Sequence, residues 1–408
     1  MSKQNKQYDV VVFGASSFVG QILVKHLWKR HGLKGEISWA VAGRSKSKMQ
    51  GVLAELGTGA EKIEMIVCDA DNESQLRDLC AKTKVVCSTV GPYALFGNTL
   101  VKVCAETGTD YCDLTGEVQW IERMITQHEA TAKASGARIV HCCGFDSIPS
   151  DLGVFFLQQA SMSQYKAPCQ RIKMRVRRLK GEFSGGTVAS LMNVVKEVTA
   201  NPKLGKKLAN PFLIAPSNPG TRQPNVKMPE FDKDAGSWIA PFVMAAINTR
   251  VVHRSNGLND WGYGKDFVYD EAMMTGQGVK GRLMAMTVAG GLAGFMVGAT
   301  LPPTRWALER FVVPKPGEGP SPEAQIKGSY DLRFYGQTAN GEKLVAKVTG
   351  DMDPGYGSTG KMLGEAAACL ALDVPGKEGG FWTPATLLGG DLMGRLQAHA
   401  GLSFELVN

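Results

Sequence analysis

Gly14 and Gly20 frame the run Gly14-Ala15-Ser16-Ser17-Phe18-Val19-Gly20, which joins the β-rich stretch YDVVVF to VGQILVKHLWKRH, a stretch with apolar residues at helical spacing. A pyrophosphate needs main-chain N–H groups aimed at it from a helix N-terminus, with no bulky Cβ in the way. Ser16 and Ser17 bring hydroxyl donors to a place where such loops often carry a middle glycine. The same residues also suit a plain tight turn; the strand before and the helix after favour a phosphate cradle. The second strand candidate, EISWAVAG, runs into Arg44-Ser45-Lys46-Ser47-Lys48. A site selective for NAD places a carboxylate here, for the ribose 2′-hydroxyl. The guanidinium, hydroxyl and ammonium groups of Arg44, Ser45 and Lys48 suit instead the 2′-phosphate of NADP(H), although a solvated basic loop would read the same. Asp69 and Ala70, after the third strand candidate, fall where an adenine would lie. Val90, Gly91 and Pro92, after the fourth, fall beside a nicotinamide ribose.

Hydride transfer asks a protein for orientation, a water-poor pocket and usually a proton source. Two residues are the catalytic candidates. Tyr93 follows the fourth strand at the carboxyl edge of the sheet, either as proton donor or nicotinamide stacker, or as a packing aromatic with its hydroxyl on the backbone. Asp146, in HCCGFDSIPSDLG, stands just before a helix opened by Pro149, where it faces the cleft or caps the helix. DYCDLTGE offers the carboxylates Asp113 and Glu117, of which Asp113 reads as capping or orienting a loop. Ser184 and Thr187 in FSGGT, and Tyr356, Ser358, Thr359 and Lys361 in GYGSTGKML, are further polar groups at helix starts. For Lys361 a phosphate or enolate contact competes with simple solvation.

The elements that must position these groups alternate strand and helix over the first 150 residues, which predicts a parallel sheet of Rossmann type. Residues 151–350 read differently. QRIKMRVRRLK alternates apolar and charged residues, and GSYDLRFYGQT and EKLVAKVTG flank ANG, a hairpin signal. The fold class predicted is therefore α/β: a Rossmann domain over 1–150 and a second, α+β domain over 151–350 built on a mostly antiparallel sheet. The second domain is assigned to substrate binding and dimerisation, the chain being expected to form a homodimer. Residues 351–408 are expected to be a helical segment that packs back on the first domain.

At 408 residues with 44% hydrophobic and 21% charged side chains, the chain is long enough for two cores and too apolar for disorder. The net charge of +8 suits phosphate-bearing partners, but the cations are scattered and no nucleic-acid motif is present, so nucleic acid is not an expected partner. Nine cysteines, no CxxC and no secretory signal before the first strand point to reduced thiols in the cytoplasm and to no metal site. The stretch LMAMTVAGGLAGFMVGATLPP, residues 283–303, carries no charge and is about long enough to cross a bilayer. Gly290, Gly294 and Gly298 line one helix face with small residues that permit close backbone contact. Either this is a buried or interface helix, or it is a peripheral contact with the inner face of a membrane.

Beyond residue 90 longer motifs appear: STVGPYALFGNTLVKVCAETGTDYCDLTGE, IVHCCGFDSIPSDLG and DPGYGSTGKMLGEAA, with PFVMAAINTRVVHRSN and GGFWTPATLLG. Together, over nearly the whole chain, they resemble the saccharopine dehydrogenase-like oxidoreductases, in particular the trans-acting enoyl reductase branch. Gly14, Ala15, Phe18 and Gly20 match that family's phosphate loop; Ser16, Ser17 and Val19 depart from it. The resemblance implies an NADPH-dependent reductase acting on a C=C (enoyl) or related bond of an apolar, lipid-like substrate. Two alternatives stand: a saccharopine-type amino-acid dehydrogenase, which needs clustered arginines for its substrate's carboxylates, and a membrane- or lipid-associated cofactor-binding protein without turnover.

Overall fold

In the computed structural model, residues 6–181, 185–311 and 319–407 are described. Strands β1 (Tyr8–Phe13), β2 (Trp39–Gly43), β3 (Met65–Val67), β4 (Thr83–Ser88), β5 (Asp110–Asp113) and β6 (Arg138–Val140) alternate with helices. They form a seven-stranded sheet in the order β13-β6-β5-β4-β1-β2-β3, completed by β13 (Gly380–Trp382) from the far end of the chain. Every pairing in it is parallel. Its central strands are continuous apolar runs: Val10, Val11, Val12, Val85 and Val86 are fully buried, as a parallel sheet requires. The switch in strand order falls between β1 and β4, and ligands of such sheets bind at the carboxyl ends there.

The second sheet has the order β14-β12-β11-β7-β10-β9-β8, built from β7 (Cys169–Lys180), β8 (Glu230–Asp232), β9 (Ser237–Pro241), β10 (Val268–Gly276), β11 (Ser329–Thr338), β12 (Lys343–Gly350) and β14 (Leu402–Val407). Its pairings are antiparallel except β7 with β10. The period-two pattern of β7 settles which face is which. Ile172, Met174 and Val176 are buried in the core, whereas Lys173 and Arg177 keep company with carboxylates. Arg175 is the exception: it is only 1% exposed, with its guanidinium between Asp232 and Asp270. Asn340 and Gly341 turn the β11–β12 hairpin, Gly341 at φ 96°.

Residues 351–407 belong to both layers. The helix Thr359–Leu372 lies on the helix Phe18–His31, where buried Glu365 bonds His26 Nε2 at 2.9 Å and Arg30 Nε at 3.3 Å. The segment is more than helical, since it also supplies β13 to the first sheet and β14 to the second. The apolar stretch at 283–303 lies mostly within one helix, Gly278–Thr300. Only 11% of its most apolar window is buried within the chain. The glycine face expected to allow close packing is bare over its first half: a Cβ built on Gly290 or Gly294 would meet nothing, while one on Gly298 would touch Leu308 at 3.5 Å.

Candidate cofactor and catalytic site

The phosphate loop begins where β1 ends. Gly14 has φ 92°, and its N–H bonds Ala42 O at 2.9 Å. A Cβ on Gly14 would lie 2.6 Å from Val90 Cγ2, and one on Gly20 2.2 Å from Gly14 O, so the turn admits only glycine at both positions. Ser17 caps the helix Phe18–His31, its Oγ accepting Gly20 N–H at 2.9 Å and lying 2.9 Å from Thr89 Oγ1. Its hydroxyl is thus taken up by the turn, which corrects the expectation that it is offered to a phosphate. Ser16 keeps a hydroxyl, and the N–H groups of Ser16, Phe18 and Val19 bond to nothing among the described residues. Three unmet amides at a helix N-terminus, with Ala15 buried beneath them, fit a pyrophosphate. The Phe18 ring turns away to meet Tyr356 edge-on, centroids 4.6 Å apart.

At the end of β2, Ser45 caps the helix Lys46–Ala54 by accepting Lys48 N–H at 3.3 Å. Arg44, Lys46 and Lys48 are exposed and pair with no carboxylate among the described residues, so their charges are available to a 2′-phosphate. Asp69 shapes the turn after β3, its carboxylate accepting Asp71 N–H at 3.1 Å, with Ala70 buried next to it. Arg44→Asp is expected to weaken NADPH binding by roughly 10- to 100-fold while NADH shifts only a few-fold, the loss of one charge-assisted contact. Calorimetric titration with both cofactors checks this; equal losses would remove Arg44 from phosphate recognition.

Val90, Gly91 and Pro92 lead from β4 into the short helix Tyr93–Phe96, and Val90 packs against Gly14 across the carboxyl edge. Tyr93 does not face this cleft. It is 3% exposed, its hydroxyl donates to Ser88 O at 3.0 Å and accepts from Leu114 N at 3.4 Å, and its ring packs on Trp120. Burial, reinforced by the Asp113 charge, holds the phenol well above its ordinary pKa. A proton donor sealed in this way cannot serve the cleft, so the catalytic expectation for Tyr93 is corrected to packing. Tyr93→Phe should leave turnover within about twofold and cost stability on the order of 1 kcal/mol in a urea melt. Glu117 does the positioning that the sequence left unassigned. Fully buried, it accepts Tyr93 N–H at 2.7 Å, Ala94 N–H at 3.1 Å and the Ser190 hydroxyl at 3.0 Å, tying the cofactor edge to the helix Gly185–Ala200 of the second domain.

Asp146 is the candidate acid. It sits on the loop after β6, partly exposed, with its carboxyl between Gly116 and Gly144: Cβ atoms built there would lie 3.8 Å and 3.1 Å from its oxygens. Neither oxygen bonds a side chain among the described residues. Burial lifts its pKa to about 7, its own backbone hydrogen bond pulling it down and the Asp113 charge adding to the rise. Asp113, fully buried, anchors the loop by accepting His141 Nδ1 at 2.7 Å and the N–H groups of Thr115 and Cys142 at 3.1 and 3.2 Å. Cys142 holds φ 63°, unusual for a side-chain-bearing residue, and His141 Nε2 is buried without a partner. The loop is braced from the other side by the turn at Asp353–Thr359, where Thr359 Oγ1 accepts Phe145 N–H at 3.0 Å. Asp353 caps that turn, accepting Tyr356 and Gly357 N–H at 2.9 Å each, and the Tyr356 hydroxyl accepts Gly185 N–H at 2.6 Å. Lys361 pairs with Asp351 at 2.6 Å, an ion pair in place of either reading offered for it. Ser184 and the Thr187 side chain lie outside the described residues.

A glycine-bound phosphate cradle, unpaired cations after β2 and an acid of near-neutral pKa at the carboxyl edge together define an NAD(P)-dependent oxidoreductase of Rossmann type. Residues 10–140 match the family model of the saccharopine dehydrogenase NADP binding domain. A Mycobacterium tuberculosis protein assigned to the trans-acting enoyl reductases is 38% identical over 418 residues, 99% of each chain. The trans-acting enoyl reductases of Mycobacterium ulcerans and Mycobacterium bovis are 34% and 35% identical, each over 97% of both chains. The chain belongs to the trans-acting enoyl reductase family of saccharopine dehydrogenase-like oxidoreductases. The apo saccharopine dehydrogenase (L-Glu forming) of Saccharomyces cerevisiae shares its two-domain fold, with a TM-score of 0.57 over 98% of this chain and 100% of that one, at 14% identity.

Proposed function

We propose that the protein reduces the C=C bond of an apolar, lipid-like α,β-unsaturated acyl thioester, with NADPH as reductant and Asp146 as proton donor. The observation that carries this reading is the Asp146 carboxyl, which has no side-chain partner and a pKa near neutrality at the edge where the nicotinamide would lie. NADPH held at this edge would supply the hydride for the β-carbon of such a substrate, and the α-carbon would then need one proton. Asp146, protonated below about pH 7, holds that proton, and the Asp113–His141 contact and Thr359 keep its loop in place. The names of the relatives support the enoyl class of substrate.

The amino-acid dehydrogenase alternative fits the site less well. It needs free arginines for several substrate carboxylates, and three of the four on β7 are already engaged, Arg171 with Asp234, Arg175 with Asp232 and Asp270, and Arg177 with Asp331, which leaves only Arg178 of that strand without a carboxylate among the described residues. NADPH oxidation followed at 340 nm, with trans-2-enoyl thioesters of short and long chain, tests the assignment. Turnover is expected with long acyl chains and little with the four-carbon thioester. NADPH oxidation only with an oxo acid plus an amino acid would reassign the reaction, and cofactor binding with no turnover on any substrate would favour the non-catalytic alternative.

A further inference from the structure

The helix Gly278–Thr300 presents apolar side chains to solvent around most of its girth. Val279 is 75% exposed, Leu283 58%, Met284 55%, Met286 49% and Val297 62%. At 100° per residue Val279, Leu283, Met286 and Val297 share one stripe, Met284 lies about 100° beyond it and Met296, 38% exposed, about 80° beyond its other border, so the exposed apolar positions cover about 240° of the circumference. Only Gly281, Ala285 and Ala299 are buried in it. A second copy of the chain would cover one stripe and leave the remaining apolar side chains in water. An apolar medium covers them all.

The two ends of the helix are fastened to the protein. At its start Thr275 Oγ1 donates to Gly281 O at 2.9 Å and the Arg282 guanidinium lies 5.5 Å from the Trp238 ring centroid. At its end Ala299 packs with Met192 and Val195, and Thr304 donates back to Gly298 O as the chain turns into the helix Pro302–Phe311. The middle stands clear, since Cβ atoms built on Gly290, Gly291 and Gly294 would meet nothing within 4 Å. A segment held in this way lies along a surface and does not cross it. Its charges are one-sided: from 272 to 308 the sequence has Lys280, Arg282 and Arg305 and no Asp or Glu. Trp306, 61% exposed, sits beside Arg305 at the far end. Cations and a tryptophan at the ends of an uncharged apolar segment match the headgroup zone of an anionic bilayer.

We infer that this helix docks the protein peripherally on an anionic phospholipid membrane, its bare middle immersed among the acyl chains and Lys280, Arg282 and Arg305 at the headgroups. Docking does not depend on which substrate is reduced. Co-sedimentation of the full chain with vesicles of phosphatidylcholine alone, and of phosphatidylcholine with phosphatidylglycerol, tests it. Wild type should pellet with the mixed vesicles and far less with the neutral ones. Arg305→Gln should weaken recovery about fivefold, the effect of one headgroup cation. L283D/V297D should abolish it, while circular dichroism shows an unchanged melt because both side chains are already exposed. If that variant melts early, Gly291→Asp, at an open position, replaces it. Wild type remaining in the supernatant with both vesicles overturns the inference. So does a wild-type dimer in light scattering that L283D/V297D converts to monomer without any vesicle recovery, since a second copy then owns the face.

Discussion

Asp146→Asn is expected to lower kcat by about 10²- to 10⁴-fold while the Kd for NADPH stays within a factor of two. Of the carboxyls beside the β4–β6 ends, Asp113 and Glu117 are engaged by His141 and Ser190, whereas no side chain among the described residues engages Asp146, and an amide in its place keeps the shape but has no acidic proton to give. Wild-type kcat should fall as pH rises through about 7, because the form that donates is the protonated one and ionisation removes it. In Asp146→Asn the residual activity should be flat across that range. A variant that retains the alkaline limb, or one whose NADPH affinity collapses in parallel with kcat, would show that Asp146 holds the loop together and does not donate the proton. Stopped-flow absorbance on cofactor and substrate, with fluorescence titration of NADPH, separates the two outcomes.

Stability should decline between about pH 4 and pH 7 through two further buried carboxyls, Asp151 and Glu271. Asp151 is lifted to about 7 by burial, with the Ser255 hydroxyl and Ala385 N–H partly offsetting the rise. Glu271 is lifted to about 7 by the same cause, with the Tyr269 and Asn248 donors opposing it. A raised carboxyl keeps its proton in the folded chain where the unfolded chain has released it. The stabilisation is therefore full below the unfolded value, falls as pH climbs, and is gone above the folded value. The loss is about 1.4 kcal/mol per pH unit for each group, so for the pair on the order of 5 kcal/mol between pH 5 and 7. D151N/E271Q makes the pair neutral at every pH, and the amide oxygens can still accept the Ser255 and Tyr269 hydroxyls. Urea unfolding at pH 5 and pH 7 should show a clearly smaller drop for the double variant than for wild type. Equal drops would mean that both carboxyls are ionised in the folded protein.

What the sequence made legible follows from how local each signal is. Gly14 and Gly20 are constrained by contacts a few residues away or across one strand, so spacing alone exposes the turn. The alternation in β7 and the Asn340-Gly341 hairpin are likewise read from neighbours in the chain. β5 escaped, because Asp110 and Asp113 look wrong for a fully buried strand. They are tolerated there since Arg138 bonds Asp110 and His141 bonds Asp113, partners 28 residues further on. The mixed character of the second sheet was hidden for a similar reason: the β7–β10 parallel pair joins segments separated by several helices. Tyr93 shows the limit for side chains. Its position at the strand end was evident, but whether its hydroxyl points to the cleft or to Ser88 is decided by Trp120 and Leu114 packing around it. Glu117 gave no sign beyond its type, since its three donors come from two distant segments.

The way residues 380–382 and 402–407 each complete the edge of a different sheet bears on how the chain is made. During vectorial synthesis the β6 border of the first sheet stays open until 380–382 emerge, and the β12 border of the second until 402–407 emerge. The β6 border, complete once Val140 is made, is therefore unpaired throughout synthesis of the second domain, whereas the β12 border, complete only at Gly350, waits a short time, so holdase chaperones should engage the first sheet early and release it once 380–382 arrive.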